Sequence, residues 1–193
     1  LCVADVRIPD AIPRYTIHQY LWGFYPQLPP DAHRPFLFKM QDGRCRCRLL
    51  SRIPPRTAYT TIGLEDGRSY AVDALIAPYR SRSQGFRYGG EGPKSVKEAI
   101  LGNRERTDWL REGLERNGLA LGHCLWFDRP PEQFRHAQGH AIRVFSARLT
   151  AMVTVTDSAK AIHLLETGVG RSRAFGCGLL YIPELMEVAR AAA

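Results

Sequence analysis

The chain of 193 residues has no long uninterrupted apolar stretch, and its apolar segments fall well short of the roughly 20 residues that a membrane-spanning helix requires. It opens Leu1-Cys2-Val3-Ala4-Asp5, without the basic region and apolar block of a secretory signal. Charged residues make up 24 % and hydrophobic residues 45 %, which excludes disordered, collagen-like and coiled-coil chains. We therefore expect a soluble, cytoplasmic protein with no membrane partner.

Lysine is scarce, although the chain is basic. Four lysines stand beside 23 arginines, and the net charge is +8. The planar guanidinium of arginine binds phosphate oxygens with two parallel hydrogen bonds and stacks on bases. This composition favours a nucleic-acid partner. The alternative is a genome of high GC content, whose codons favour arginine without any functional reason.

Recognisable metal-binding and nucleophile motifs are also missing. The five cysteines are odd in number and scattered, which fits reduced thiols, and Cys45 and Cys47 stand one residue apart, unlike a zinc knuckle. A metal site could be assembled from His123, Cys124, His136 and His140, but their spacing matches no known metal-binding motif. The chain has no nucleophile-elbow motif and no cluster of carboxylates. We expect no cofactor, and any nuclease activity should not need a metal.

Hydrophobic patterning in the first half of the chain predicts a β-α-β-β start followed by another strand, the order of a ferredoxin-like module. The predicted elements are a strand at 1–8, a helix at 14–25, strands at 36–40 and 44–50 joined by a turn at Asp42-Gly43, and a strand at 70–80. We assign residues 1–80 to an N-terminal domain. Residues 81–93, which are rich in glycine, arginine and serine, are predicted to form a linker and basic loop.

The second half predicts a second, less regular domain at residues 94–193. Its predicted elements are a helix at 95–117, strands at 119–127 and 141–156, a helix that begins at Asp157 or Ser158 and ends before Gly168, and a short strand at 178–182. Two α/β halves of about equal size indicate an α+β fold made of tandem ferredoxin-like domains.

The first predicted helix carries a histidine beside its apolar stripe. The stripe consists of Ile17, Tyr20, Leu21 and Phe24. At 3.6 residues per turn, His18 lies about a quarter turn from the stripe, on the side that also carries Tyr15 and Trp22. His18 could meet a substrate there. The alternative is a purely structural histidine.

A glycine-rich segment at residues 168–178 contains four glycines and two arginines, Arg171 and Arg173. Glycine lets a backbone approach another backbone closely, and the arginines could contact phosphate. The segment matches neither a Walker loop nor a dinucleotide fingerprint, because a helix precedes it and no Gly-Lys-Ser/Thr follows. The alternative is a helix cap followed by turns.

Three blocks at both ends of the chain carry a family resemblance: residues 15–22 (YTIHQYLW), 34–38 (RPFLF) and 168–180 (GVG through AFGCGLL). With these blocks the chain resembles the CasE-type endoribonucleases, which process CRISPR precursor RNA in the type I-E Cascade complex. The resemblance implies two ferredoxin-like (RAMP/RRM-like) domains, recognition of the repeat RNA hairpin, and one cut at the 3′ base of its stem. It implies that His18 corresponds to the catalytic histidine of the family and Tyr15 to a tyrosine that assists it. The second helix expected of the first domain is not evident within residues 51–94.

The expected partners are therefore the CRISPR repeat hairpin, its crRNA product and other Cascade subunits. RNA can be cut without a metal by its own 2′-OH, which leaves a 2′,3′-cyclic phosphate, with His18 and Tyr15 moving protons in an unassigned order. The candidate RNA-binding residues are Arg80, Arg82, Arg87, Lys94, Arg143, Gly168, Gly170, Arg171 and Arg173. Two alternatives stay open: a non-catalytic hairpin-binding subunit of the same fold, and a single-strand-binding module with no preference for hairpins.

Overall fold

The computed structural model of the protein describes residues 1–13, 16–29, 32–41, 46–84, 94–135 and 141–188. Runs of strands are separated by a few helices, as expected for an α+β fold. In chain order the elements are β1 (Cys2–Arg7), α1 (Ile17–Trp22), β2 (Phe36–Gln41), β3 (Arg46–Ser51), β4 (Thr60–Thr61), β5 (Ser69–Ile76), β6 (Tyr79–Gln84), β7 (Lys94–Ala99), α2 (Asn103–Glu115), β8 (Leu119–Asp128), β9 (Glu132–Arg135), β10 (Ala141–Val144), β11 (Ala147–Val155), α3 (Ser158–Thr167), a 3-10 turn (Arg173–Phe175) and α4 (Pro183–Val188).

The first sheet has the strand order β2-β3-β1-β4, and each neighbouring pair is antiparallel. This is the order of a ferredoxin-like module, because the chain crosses over α1 to the far edge and returns through β3 to the centre. The predicted pairing of the second and third strands is confirmed, while its turn at Asp42-Gly43 lies outside the described residues. Residues 52–59, all of which are described, form no helix before β4.

The second sheet repeats the same order with different elements. Strands β5, β11 and β8 pair antiparallel in that order. Backbone hydrogen bonds of 2.8 and 2.9 Å join Asp73 of β5 to Tyr181, so residues 178–182 occupy the place of a fourth strand beside β5. Each half of the molecule is therefore a ferredoxin-like module.

The assignment of the strand at 70–80 to the first module is wrong. Strand β5 pairs with β11 along its whole length and is the first strand of the second module. The alternation of apolar and polar residues in β5 suits either sheet. Its pairing with β11, which is distant in the sequence, decides that it belongs to the second. The pairing favours a boundary between Thr61 and Ser69, and the exact domain division stays a prediction.

The helix predicted at 95–117 is also too long. Lys94–Ala99 is strand β7, which forms a two-stranded ribbon with β6, and α2 begins only after Gly102. Cross-strand pairing with β6 outweighs the local helical tendency of this stretch. Of the segment predicted as linker and basic loop, 81–84 belong to the ribbon and 85–93 lie outside the described residues.

Helix α1 is shorter than predicted and covers one face of the first sheet. Ile17 and Leu21 are buried there, as the stripe predicted, whereas Tyr20 and Phe24 are half-buried at the rim with their rings 5.8 Å apart. The opposite face of this sheet is covered by the second module, because Leu37 and Leu50 share one apolar cluster with Leu165 of α3. Apolar side chains are thus buried on both faces of the first sheet.

Candidate nucleic-acid interface

His18 lies on α1 between the two buried anchors of that helix. It is half-buried, next to the fully buried Ile17. One turn later Trp22 contacts Phe36 of β2 edge-on, with ring centroids 5.9 Å apart. Histidine is the residue most often used for general acid and base catalysis, and packing fixes the helix that carries this one. Tyr15 lies outside the described residues.

The glycines of the segment at 168–178 are required by the protein's own packing. Gly168, Gly170, Gly176 and Gly178 have φ angles of +75°, +79°, +81° and +92°. A Cβ atom at Gly168 would stand 2.7 Å from the Leu37 side chain, and one at Gly170 would stand 2.7 Å from the Ala77 carbonyl oxygen. These contacts are with protein, so they explain the glycines without RNA. Backbone contacts of Gly168 and Gly170 with RNA stay a prediction.

The same segment joins α1 to the second module. Its 3-10 turn lies against α1, and Phe175 of this turn stacks on Phe134 of β9 with centroids 4.5 Å apart. Arg171 donates its backbone N–H to Ala77 at 3.1 Å, just before the β6–β7 ribbon begins. The segment therefore stands at the junction of the helix that carries His18, the ribbon and the β9–β10 hairpin.

Arg173 lies in this junction and is half-buried. Its Nη2 donates a hydrogen bond of 3.2 Å to the Gly168 carbonyl, and burial lowers the pKa of its guanidinium. A second guanidinium, that of Arg34, is close enough for the charge of Arg173 to act on it. Burial first, and then that charge, lower the pKa of Arg34 to about 10. Arg34 was not among the predicted binding residues, although it opens the block at 34–38 that carries part of the family resemblance.

The predicted arginines of the β6–β7 ribbon are exposed but already paired. Arg80 contacts Glu98 at 3.3 Å and Glu105 at 3.9 Å, and Arg82 contacts Glu98 at 4.0 Å. Exposed pairs of this kind are weak, so a phosphate could compete for either guanidinium. Arg87 lies outside the described residues, as does the side chain of Lys94.

Arg143 and Arg171 are exposed, and each guanidinium lies over an aromatic ring. The Arg143 guanidinium is over the ring of Phe145 at 5.1 Å, and that of Arg171 is over Tyr79 at 5.7 Å. Arg171 therefore lies beside the first residue of β6, and Arg173 lies in the turn that packs against α1.

A family model described as CRISPR associated protein matches residues 10–183. The chain belongs to this family. Among its relatives, the Cascade subunit CasE of Escherichia coli K12 is 25 % identical over 186 residues, which span 89 % of this chain and 92 % of the relative.

As a member of the family, the chain also shares its fold with solved structures. Cas6e from E. coli K-12 superposes with a TM-score of 0.71 at 22 % identity, covering 94 % of this chain and 98 % of the other. Thermus thermophilus Cse3, bound to an RNA that represents a pre-cleavage complex, gives 0.67 at 17 % identity and covers 94 % and 97 %. These likenesses confirm the predicted tandem ferredoxin-like fold of this CRISPR-associated protein.

The described part of this family member contains no group of three or more His, Cys, Asp or Glu side chains that could hold a metal ion. His136 and His140, two members of the set considered from the sequence, lie outside it. Within the described part of the chain, Cys2, Cys47, Cys124 and Cys177 form no disulfide bond, and the reduced state of the cysteines stays a prediction. Across the described residues, none of the helices is long and apolar enough to cross a membrane.

Proposed function

We propose that this protein is an endoribonuclease that binds the stem-loop of a CRISPR repeat, cuts the precursor RNA once at the 3′ base of the stem, and stays bound as a Cascade subunit. The observation that carries the proposal is the placement of His18 on α1, with the arginine-bearing 3-10 turn packed against the same helix. A proton-transferring group and phosphate-binding groups then meet at one place. The names of the relatives, a Cascade subunit and an RNA-bound Cse3, support the same substrate class.

The reaction that suits these groups is attack by the RNA on itself. The 2′-oxygen forms a bond to the adjacent phosphorus while the bond to the 5′-oxygen of the next nucleotide breaks. One proton leaves the 2′-OH and one reaches the departing 5′-oxygen, so the products are a 2′,3′-cyclic phosphate and a 5′-OH. His18 takes part as acid or base with Tyr15 as its partner, and general catalysis of this type contributes about 10²- to 10⁴-fold. The nucleophile belongs to the RNA, and we propose that no metal is needed.

The binding surface combines charge with shape. A-form stems are recognised through phosphate contacts and shape more than through base edges, which suits arginines spread along a ribbon, a hairpin and a turn. We propose that Arg80 and Arg82 contact the stem from the ribbon, and that Arg143 and Arg171 do so from the hairpin and the glycine-rich segment. Lys94 is the first residue of β7, and Arg87 lies between the two ribbon strands in the sequence; both are proposed to extend that surface.

The test is cleavage of the native repeat RNA by the purified protein in excess chelator. We expect a single cut that leaves a 5′-OH and a cyclic phosphate. A hairpin with hydrogen in place of the 2′-OH at the cut site should bind with nearly unchanged affinity and stay intact. A requirement for added magnesium would overturn the mechanism, and tight hairpin binding without any cut would instead identify a non-catalytic subunit.

A further inference from the structure

Arg34 lies at the entrance to β2, beside the helix that carries His18. Its guanidinium carbon is 5.8 Å from the centroid of the Phe36 ring, and Phe36 in turn contacts Trp22 of α1. Trp22 follows His18 by four residues, so the two side chains project from the same side of α1. Arg34 thus lies over an aromatic ring that contacts the side of the helix carrying the histidine.

Arg173 reaches this region from the other end of the chain. Its 3-10 turn is bounded by residues in the left-handed region, Ser172 with φ +60° and Gly176 with φ +81°. Gly176 packs so closely on β2 that a Cβ atom there would lie 3.1 Å from the Phe38 ring. The turn is therefore held against β2, which begins two residues after Arg34, and against α1.

Arg34 and Arg173 are both half-buried, and the charge of Arg173 contributes, after burial, to the lowered pKa of the Arg34 guanidinium. Elsewhere in the fold a buried arginine is matched by a carboxylate: Arg48 pairs with Asp5 at 2.7 Å and Arg106 with Asp128 at 2.6 Å. Within the described part of the chain, no Asp or Glu makes an ion pair with Arg34 or Arg173. Two cations that are partly withdrawn from water repel each other unless an anion lies between them.

We propose that Arg34 and Arg173 together bind one phosphodiester group of the RNA next to the His18 helix. This inference rests on the proposed function and adds Arg34 to the binding residues. Guanidinium forks match phosphate oxygens in geometry, and two of them can hold a phosphodiester from two directions. Such a clamp fixes the RNA backbone relative to His18 and offsets negative charge that develops on the reacting phosphate.

The first experiment measures binding alone, with the uncleavable 2′-deoxy hairpin at several salt concentrations. For Arg34→Gln and Arg173→Gln we expect affinity losses of about 10- to 100-fold each, the scale of a lost charged hydrogen bond. The slope of log affinity against log salt should fall by about one for each variant. The double variant should lose less than the product of the two single losses, because both residues act on one phosphate. Arg111→Gln, an exposed arginine on α2 paired with Asp108 at 3.1 Å, serves as the matched control and should bind as wild type.

The second experiment separates this role from a structural one. Removing one of two repelling cations should leave the thermal unfolding temperature of the RNA-free protein unchanged or raise it. Inorganic phosphate should raise that temperature in wild type and much less in Arg34→Gln. Arg34→Lys keeps the positive charge but lacks the paired N–H donors of the guanidinium, so its hairpin affinity should lie between those of Arg34→Gln and wild type.

The outcomes distinguish the clamp from the proposed function. Wild-type affinity and salt slope in Arg34→Gln would overturn the clamp, even if the protein cuts its repeat. A lower unfolding temperature together with unchanged affinity would assign Arg34 to the fold and would also overturn it. A protein that binds hairpins through Arg34 but never cuts them would keep the clamp and refute the proposed nuclease.

Discussion

The Nη1 atom of Arg48 donates a hydrogen bond of 2.7 Å to the Tyr181 hydroxyl and so connects the two ferredoxin-like modules. Arg48 belongs to the first sheet, and Tyr181 occupies the fourth-strand position of the second. Arg48 is only 2 % exposed, and its other nitrogens donate to both carboxylate oxygens of Asp5 at 2.8 and 2.7 Å. This contact between the modules fixes the relative position of the two halves on which the proposed RNA site depends.

Arg48→Met should destabilise the protein by about 3 kcal/mol, because it leaves Asp5 and the Tyr181 hydroxyl without their buried donor. Denaturant unfolding measures this loss. Arg46→Gln, an exposed residue of the same strand, is the matched control and should stay within about 0.5 kcal/mol of wild type. Equal stability of the Arg48 variant and the control would mean that this contact does not stabilise the junction.

Gly168→Ala should destabilise the protein by about 2 kcal/mol or more, because it adds a Cβ at a positive φ and 2.7 Å from the Leu37 side chain. Gly113→Ala is the matched control. Gly113 lies inside α2 with no atom within 4 Å of the added Cβ, and alanine there should stabilise the helix by up to about 1 kcal/mol. Thermal unfolding compares the two. If Gly168→Ala unfolds at the wild-type temperature, the packing explanation of this glycine is wrong.

His18→Gln should slow cleavage of the repeat by about 10²- to 10⁴-fold while hairpin affinity changes little, because the imidazole transfers protons rather than binding phosphate. Tyr15→Phe should slow the reaction less. Single-turnover rates and binding are measured separately. The control is His163→Gln, an exposed histidine on α3 beside Glu166, which should cut at the wild-type rate. A normal rate in His18→Gln would remove this residue from the mechanism.

Asp73 predicts a specific loss of stability in acid. Burial by itself raises the pKa of this carboxyl, but hydrogen bonds from Lys39 at 2.6 Å and Arg148 at 2.9 Å outweigh it and hold the pKa below its ordinary value of 3.8. Because the folded pKa is the lower one, the stabilisation is complete above the unfolded pKa and is lost as the pH falls through the folded pKa.

The free energy of unfolding of wild type should therefore exceed that of Asp73→Asn by a constant amount above about pH 5, and the difference should shrink below about pH 4. Asp108→Asn, which removes an exposed pair with Arg111, should differ little from wild type at any pH. A difference for Asp73→Asn that stays the same down to about pH 2 would show that its charge makes no contribution.

Features that depend on near neighbours in the chain could be predicted from the sequence. Of the two predicted caps, Asp157 is the one that caps α3, by accepting a hydrogen bond of 3.1 Å from the backbone of Lys160, and Gly168 ends the helix as predicted, with a positive φ. The apolar spacing on α1 placed Ile17 and Leu21 in the core and left His18 beside them. Caps, turns and periodicity are local, because the groups that satisfy one another lie within a turn or two of chain.

Only the tertiary structure decided which distant segments meet. Strand β5 has the same alternation whichever sheet it joins, and its pairing with β11 placed it in the second module. Alternation put Arg48 on the face opposite Leu49, but that face is buried only because the second module covers it. The packing of the turn that carries Arg173 against β2 and α1 has no local signature for the same reason. Contacts between residues far apart in sequence depend on how whole modules pack, which the pattern within either segment does not contain.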